Sequence, residues 1–149
     1  MPLNWNDIFL QDPSIDFGQL LAQWQPPIVV GTIRPFGLSA FGDLYFLSRN
    51  GSVHVLDVFE GAVREVAESE QDFAACMNSQ DWRDSNLMPE VIMQLQRRGL
   101  VRGPGQVFGF APHPALSGRL NPEGALVLDA VVWHSICSQL LNPRGATAA

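Results

Sequence analysis

The stretch from Phe41 to Glu68, FGDLYFLSRNGSVHVLDVFEGAVREVAE, decides the fold. Two runs of strand composition, Asp43–Ser48 and Ser52–Phe59, flank the dipeptide Asn50-Gly51. Asn-Gly is the strongest short-range hairpin signal, because a type I′ turn needs positive φ at both central residues. A second turn at Glu60-Gly61 leads into a third run, Ala62–Ala67. The stretch therefore predicts a three-strand antiparallel meander. It carries no nucleophile–base pair, no phosphate-cradling glycine loop and no metal-ligand spacing. A sheet of this kind points to a binding module rather than an enzyme, so no catalytic residue is assigned.

Helical patterns lie on both sides of the meander. Asn4–Leu10 and Asp16–Trp24 read as two short helices, with Phe17, Leu20, Leu21 and Trp24 at helical spacing in the second. Pro26-Pro27 ends it, Ile28–Arg34 reads as a strand, and Pro35–Ala40 as a loop. After the meander, Ser69 caps a helix with Asp72 at the third position of an S-x-x-D box. Asp81–Asn86 reads as a connecting segment. A further helix opens at Pro89 and closes at Gly99, with Arg97 and Arg98 in its last turn. Gly105–Ala111 and Ala125–Leu128 read as strands around a loop, Pro112–Pro122. Asp129 caps a last helix whose Val132, Trp133, Ile136, Cys137, Leu140 and Leu141 form an apolar stripe.

The fold class that follows is α+β: an antiparallel sheet built on the meander, helices packed on one face, and a short helical N-terminus. The alternation within the meander predicts one buried and one wetter sheet face. The chain of 149 residues suits a single unit: a helical region over 1–40, a core over 41–141 and a mobile tail over 142–149.

Hydrophobic residues make up 46% and charged residues 16%, which predicts a folded chain. No apolar run approaches the roughly 18 residues of a membrane span. The N-terminus MPLNWNDIFLQDPSID carries acids and no base, unlike a secretory signal, so the expected location is cytoplasmic. Cys76 and Cys137 fall in apolar helical patterns and read as buried, reduced thiols.

Charge is unevenly placed. Asp57, Glu60, Glu65, Glu68, Glu70, Asp72, Asp81, Asp84 and Glu90 are opposed only by Arg64 and Arg83, a balance of −7 in a chain of net −6. Such a surface repels nucleic acid and attracts a basic protein. Trp82 and Arg83, set among Asp81 and Asp84, have the composition of an interface anchor. The expected partner-binding residues are therefore Asp57, Glu60, Glu65, Glu68, Glu70, Asp72, Asp81, Trp82, Arg83 and Asp84.

Other chemistry finds less support. His54 reads as a half-exposed sheet residue, His113 as a loop residue and His134 as a polar contact on the last helix. No Cys/His pair has zinc spacing, so no metal or cofactor is expected. The glycines of GLVRGPGQVFGF lack the Lys-Ser/Thr of a phosphate loop, and Pro104 interrupts them.

The residues FGDLYFLSRNGSVHVLDVFEGAVREVAES and PGQVFGFAPHPALSGRLNPEGALVLDAVVWHSICSQL resemble a bacterial immunity-protein family linked to type VI secretion, which often follows a GAD-like region. The matching positions include Phe41, Gly42, Asp43, Gly105, Gln106, Phe110, Pro114, Leu116, Gly118, Asp129, Ser135, Ile136 and Gln139. The family's usual Cys after Gln106 is Val107 here. The resemblance implies a cytoplasmic antidote that neutralises a cognate secreted toxin, with nucleases among the toxin classes, and it brings no catalytic residues. Two other readings stand beside it: a regulatory scaffold module of the SMI1/KNR4-like kind, and a small hydrolase using His113.

Overall fold

The structure of the chain, a computed structural model, describes residues 3–24 and 33–141. Helix α1 (Trp5–Ile8) is followed directly by strand β1 (Phe9–Leu10). Asn4 and Asp7 close a reciprocal capping box, each side chain meeting the other's backbone N–H at 3.2 and 2.9 Å. The expected helix over Asn4–Leu10 is thus corrected at its end, where Phe9 and Leu10 leave the helix to pair with β2. Helix α2 (Phe17–Ala22) is capped by Asp16, whose carboxylate accepts from the Gln19 N–H at 3.1 Å.

Strand β2 (Arg34–Ser39) occupies the segment that reads as a loop. Pro35 is tolerated there because β1 pairs only with Leu38 and Ser39, leaving the Pro35 end with a single neighbour. The expected strand over Ile28–Arg34 falls largely on residues outside those described, and Ile33 is not in a strand. Strands β3 (Leu44–Leu47), β4 (Val53–Asp57) and β5 (Ala62–Ala67) form the meander. The sheet order is β1-β2-β3-β4-β5, antiparallel throughout.

The first hairpin has a different turn from the one expected. Gly51 has φ 87°, but no positive φ is found at Asn50. Gly51 N–H bonds the Ser48 carbonyl at 3.0 Å, so the turn runs through Arg49 and Asn50 with Gly51 alone in the left-handed region. The Asn50 amide oxygen accepts from the backbone N–H of Ser52 at 3.1 Å, which holds this longer loop.

Helices α3 (Glu70–Met77), α4 (Gln80–Asn86) and α5 (Pro89–Arg97) follow. Ser69 accepts from the Asp72 N–H at 3.1 Å. The connecting segment expected at Asp81–Asn86 is instead helical, because Ser79 caps it through the Trp82 N–H at 3.3 Å. At the end of α5, Gly99 takes φ 87° and the Leu100 N–H returns to the Leu95 carbonyl at 3.0 Å, a Schellman-type stop.

Strands β6 (Gln106–Phe110) and β7 (Ala125–Asp129) form a separate two-stranded sheet. The loop expected between them contains a short helix, α6 (Pro114–Ser117), and a 3-10 turn at Pro122–Gly124. Asp129 accepts from the Val131 N–H at 2.8 Å and opens α7 (Ala130–Leu141).

Helices and antiparallel strands thus make an α+β fold with a short N-terminal helix. One face of the meander, with Tyr45, Leu47, Val53 and Val55, packs with Phe73, Leu87, Ile92 and Leu95 of the α3–α5 region. The second face is covered as well. Leu38, Leu44 and Leu56 pack with Leu20 and Trp24 from the α2 region and with Trp133 and Cys137 of α7. This corrects the expectation of a wetter second face: all four residues of β3 are buried. The N-terminal region is more than helical, since it supplies two of the five strands.

Trp133 locks the two sheets together. Its Nε1–H donates to the Phe41 carbonyl at 2.9 Å, and the residue is 1% exposed. The ring lies where side chains on Gly42 and Gly109 would be: a Cβ there would come within 2.8 Å of it at either position. Gly42 also holds φ 102°, a conformation glycine adopts freely.

Candidate functional site

Helix α7 carries more apolar surface than its packing buries. Trp133, His134, Cys137 and Ser138 face inward. Val132, Ile136 and Leu140, spaced one turn apart, are exposed at 50%, 44% and 36%. The six-residue apolar stripe expected on this helix therefore divides into a core edge and an outer edge.

Ile136 and Leu140 of this outer edge form one wall of a groove of about 430 Å³. They face Leu126 and Leu128 of β7, Phe110 at the end of β6, and Leu116 of α6. Leu116 is 67% exposed. Apolar residues exposed singly are ordinary on a folded protein; these are grouped along one groove.

His113 sits at the base of this groove and is buried rather than loop-exposed. Its Nδ1 accepts from the Ala115 N–H at 3.0 Å, capping α6. That fixes the proton on Nε2, which donates to the Val58 carbonyl at 3.0 Å. Burial lowers its pKa, against the opposing effects of the Val58 bond and the Asp57 charge. The neutral imidazole anchors the 111–117 segment to the end of β4. Both ring nitrogens are engaged within the fold, and the groove above the ring is lined mainly by apolar side chains.

The groove adjoins the start of the acidic segment. Phe59 contacts the His113 ring at 6.1 Å between centroids, and a Cβ at Gly61 would come within 2.8 Å of Leu141. Glu60 therefore lies in the turn that meets the C-terminal end of α7, and it is exposed.

The expected partner-binding residues fall into two groups. Glu60, Glu65, Glu68, Glu70, Asp72, Asp81 and Asp84 are exposed along β5, α3 and α4. The other three have roles in the fold. Asp57 accepts from the Phe59 N–H at 2.8 Å and bonds Arg64 at 2.9 Å, holding the β4–β5 turn. Trp82, half-buried in α4, meets Phe73 edge-on at 5.8 Å and Tyr45 at 6.4 Å. Arg83 donates to the Met77 carbonyl at 2.6 Å and lies 5.6 Å over the Trp5 ring. The groove residues Leu116, Leu126, Ile136 and Leu140 were not expected at a site. The available signal was the breadth of the α7 stripe, which exceeds one packed face.

The remaining histidines are also placed. His54 is half-buried, stacked on Phe46 at 5.5 Å, with its Nδ1 unpartnered. His134, expected as a polar contact on the last helix, makes such contacts with both ring nitrogens while 0% exposed in the core. Cys137 is buried and Cys76 half-buried, both as free thiols. Among the described residues, no group of three His, Cys, Asp or Glu is arranged to hold a metal ion, and no helix is long and apolar enough to cross a membrane.

No protein-family model and no curated protein matches this sequence. Among solved structures, the fold is similar to the crystal structure of Atu4351 from Agrobacterium tumefaciens, with a TM-score of 0.52 and 20% identity over 72% of this chain. The match covers 54% of that protein, so this chain spans about half its length. The likeness concerns the fold alone.

Proposed function

We propose that this chain is a cytoplasmic immunity protein that binds and neutralises a cognate type VI secretion toxin by stoichiometric inhibition. The resemblance of Phe41–Leu141 to the immunity family supports this class. The observation that carries the reading is the apolar groove between α7 and the β6–β7 sheet, open beside an acidic turn. A partner with an apolar side chain flanked by basic residues fits this surface. The side chain fills the groove between Leu116, Ile136 and Leu140. The carboxylates from Glu60 onward attract the basic flank.

A nuclease toxin suits this arrangement, since a cleft that holds phosphates is itself basic. Inhibition of this kind needs no cofactor. It needs a buried interface on the order of 1,200–2,000 Å² and slow dissociation.

The test is co-expression with the protein encoded beside this gene, read by growth rescue and co-purification. Rescue together with a 1:1 complex supports the proposal. Equal toxicity with and without this chain, or rescue without any complex, overturns it.

A further inference from the structure

The segment between β6 and β7 has a second cavity along it. Arg119, Asn121, Pro122 and Glu123 face Gln94, Arg97 and Arg98 across a pocket of about 520 Å³. We propose that this pocket binds the phosphate group of a small phosphate monoester. The inference is independent of toxin neutralisation.

One of the three arginines holds the wall. Arg98 donates from Nη1 to the Pro122 carbonyl, fixing the 3-10 turn to the end of α5. The side chains of Arg97 and Arg119 have no hydrogen bond or ion pair among the described residues. Asn121 accepts with Oδ1 from the Glu123 N–H at 3.1 Å, leaving its amide NH₂ as a donor. The pocket thus presents two unpaired guanidiniums and an amide donor.

The ordinary account of basic residues at a helix end is that they complement the helix dipole. It serves for Arg97 and Arg98, in and after the last turn of α5. It does not extend to Arg119, which comes from the loop after α6. Three cations and one carboxylate, Glu123, leave a local surplus of positive charge in a chain of net −6.

The ligand chemistry follows from the type and charge of the donors. A guanidinium fork bonds phosphate oxygens in pairs. A monoester carries about −1.5 to −2 charge near neutrality, which matches the surplus better than one carboxylate does. The pocket lies within the roughly 300–1,000 Å³ of small-molecule sites and exceeds what a bare phosphate fills. The Glu123 carboxylate can then accept from hydroxyls on the organic part of the ester.

The test titrates the whole chain with inorganic phosphate, then with glycerol phosphate, following backbone amide resonances by NMR. Sodium chloride at equal ionic strength is the control. Saturable shifts confined to residues 94–98 and 119–124, with the ester binding more tightly than phosphate, support the proposal. In the Arg97→Gln/Arg119→Gln variant, affinity should fall by about tenfold or more as two charge-assisted contacts are lost. Its unchanged thermal melt would show that the fold is intact. Shifts reproduced by chloride, equal affinity in the variant, or an ester that binds no better than phosphate would each overturn it.

Discussion

Trp24 donates its indole N–H to Nδ1 of His134 at 3.0 Å, joining residues 110 positions apart. The bond fixes the imidazole proton on Nε2, which donates to the Gly42 carbonyl at 2.6 Å. Through one neutral ring, the end of the α2 region is tied to α7 and to the turn before β3. Trp24→Phe keeps most of the ring volume and removes the donor. It leaves a buried acceptor unsatisfied, at a cost of about 1–3 kcal/mol. Urea denaturation measures this. A loss of only a few tenths of a kcal/mol would mean that the bond does not form.

The same core holds two ionisable groups whose effects on stability oppose each other. Burial lowers the His134 pKa from 6.5 to about 4, against the Gly42 bond. Burial, and then the Asp57 charge, raise the Asp43 pKa from 3.8 to about 7, against bonds from Val58 and Ser39 and the Arg64 charge. Between those limits, unfolding releases a proton from Asp43 and takes one up at His134. Asp43 therefore favours folding at the acid end and loses that contribution as pH rises. His134 favours folding near neutrality and loses its contribution as pH falls. Each slope is at most about 1.4 kcal/mol per pH unit, so the two largely cancel. Asp43→Asn removes one side of the balance. The stability of that variant minus that of the parent should rise with pH from about 4.5 to about 6.5, approaching that slope. A difference independent of pH would show that Asp43 is ionised throughout.

Trp133→Ala should cost about 3–5 kcal/mol through the cavity it leaves. Its ring is 1% exposed and bridges the two sheets. The converse substitution, Gly109→Ala, should also destabilise. Its Cβ would lie 2.7 Å from Leu128 and 2.8 Å from the Trp133 ring, too close for a packed core to absorb. Thermal melts of both variants check the pair. If Gly109→Ala is neutral, Trp133 is free to move and does not hold the sheets in register.

These contacts also show which features the sequence could carry. Gly51, Gly61 and Gly99 mark turns and a helix stop through local backbone needs, and all three hold positive φ. The hairpin was legible, while its turn type was not, because Asn50 uses its side chain to brace a longer loop. Strand β2 was hidden by Pro35 and Gly37, whose poor strand propensity is overridden where β1 does not reach and where the Phe9 ring lies over Gly37. The roles of His113 and His134 depend on carbonyls 55 and 92 residues away, which no local pattern encodes. The groove was half visible: α7 is apolar over more than one face, but what faces Ile136 is set by the return of β7.

The proposed interface separates into parts that kinetics can distinguish. The carboxylates of Asp81 and Asp84 are exposed and act at a distance, so reversing both to Arg should slow association and weaken its salt dependence. Ile136 would act only on contact. Ile136→Glu puts an unpaired charge in the groove, where filling by an apolar side chain would leave it buried. It should raise the dissociation rate by about tenfold or more while association changes little. Ile136 is 44% exposed, so the free protein should tolerate the change within about 0.5 kcal/mol. Trp82→Ala should behave differently, losing stability because the ring packs on Phe73 and Tyr45. Surface-binding kinetics with the co-expressed toxin, alongside denaturant melts, separate the three. If Ile136→Glu leaves dissociation unchanged while Trp82→Ala raises it with stability intact, the anchor lies on α4 and not in the α7 groove.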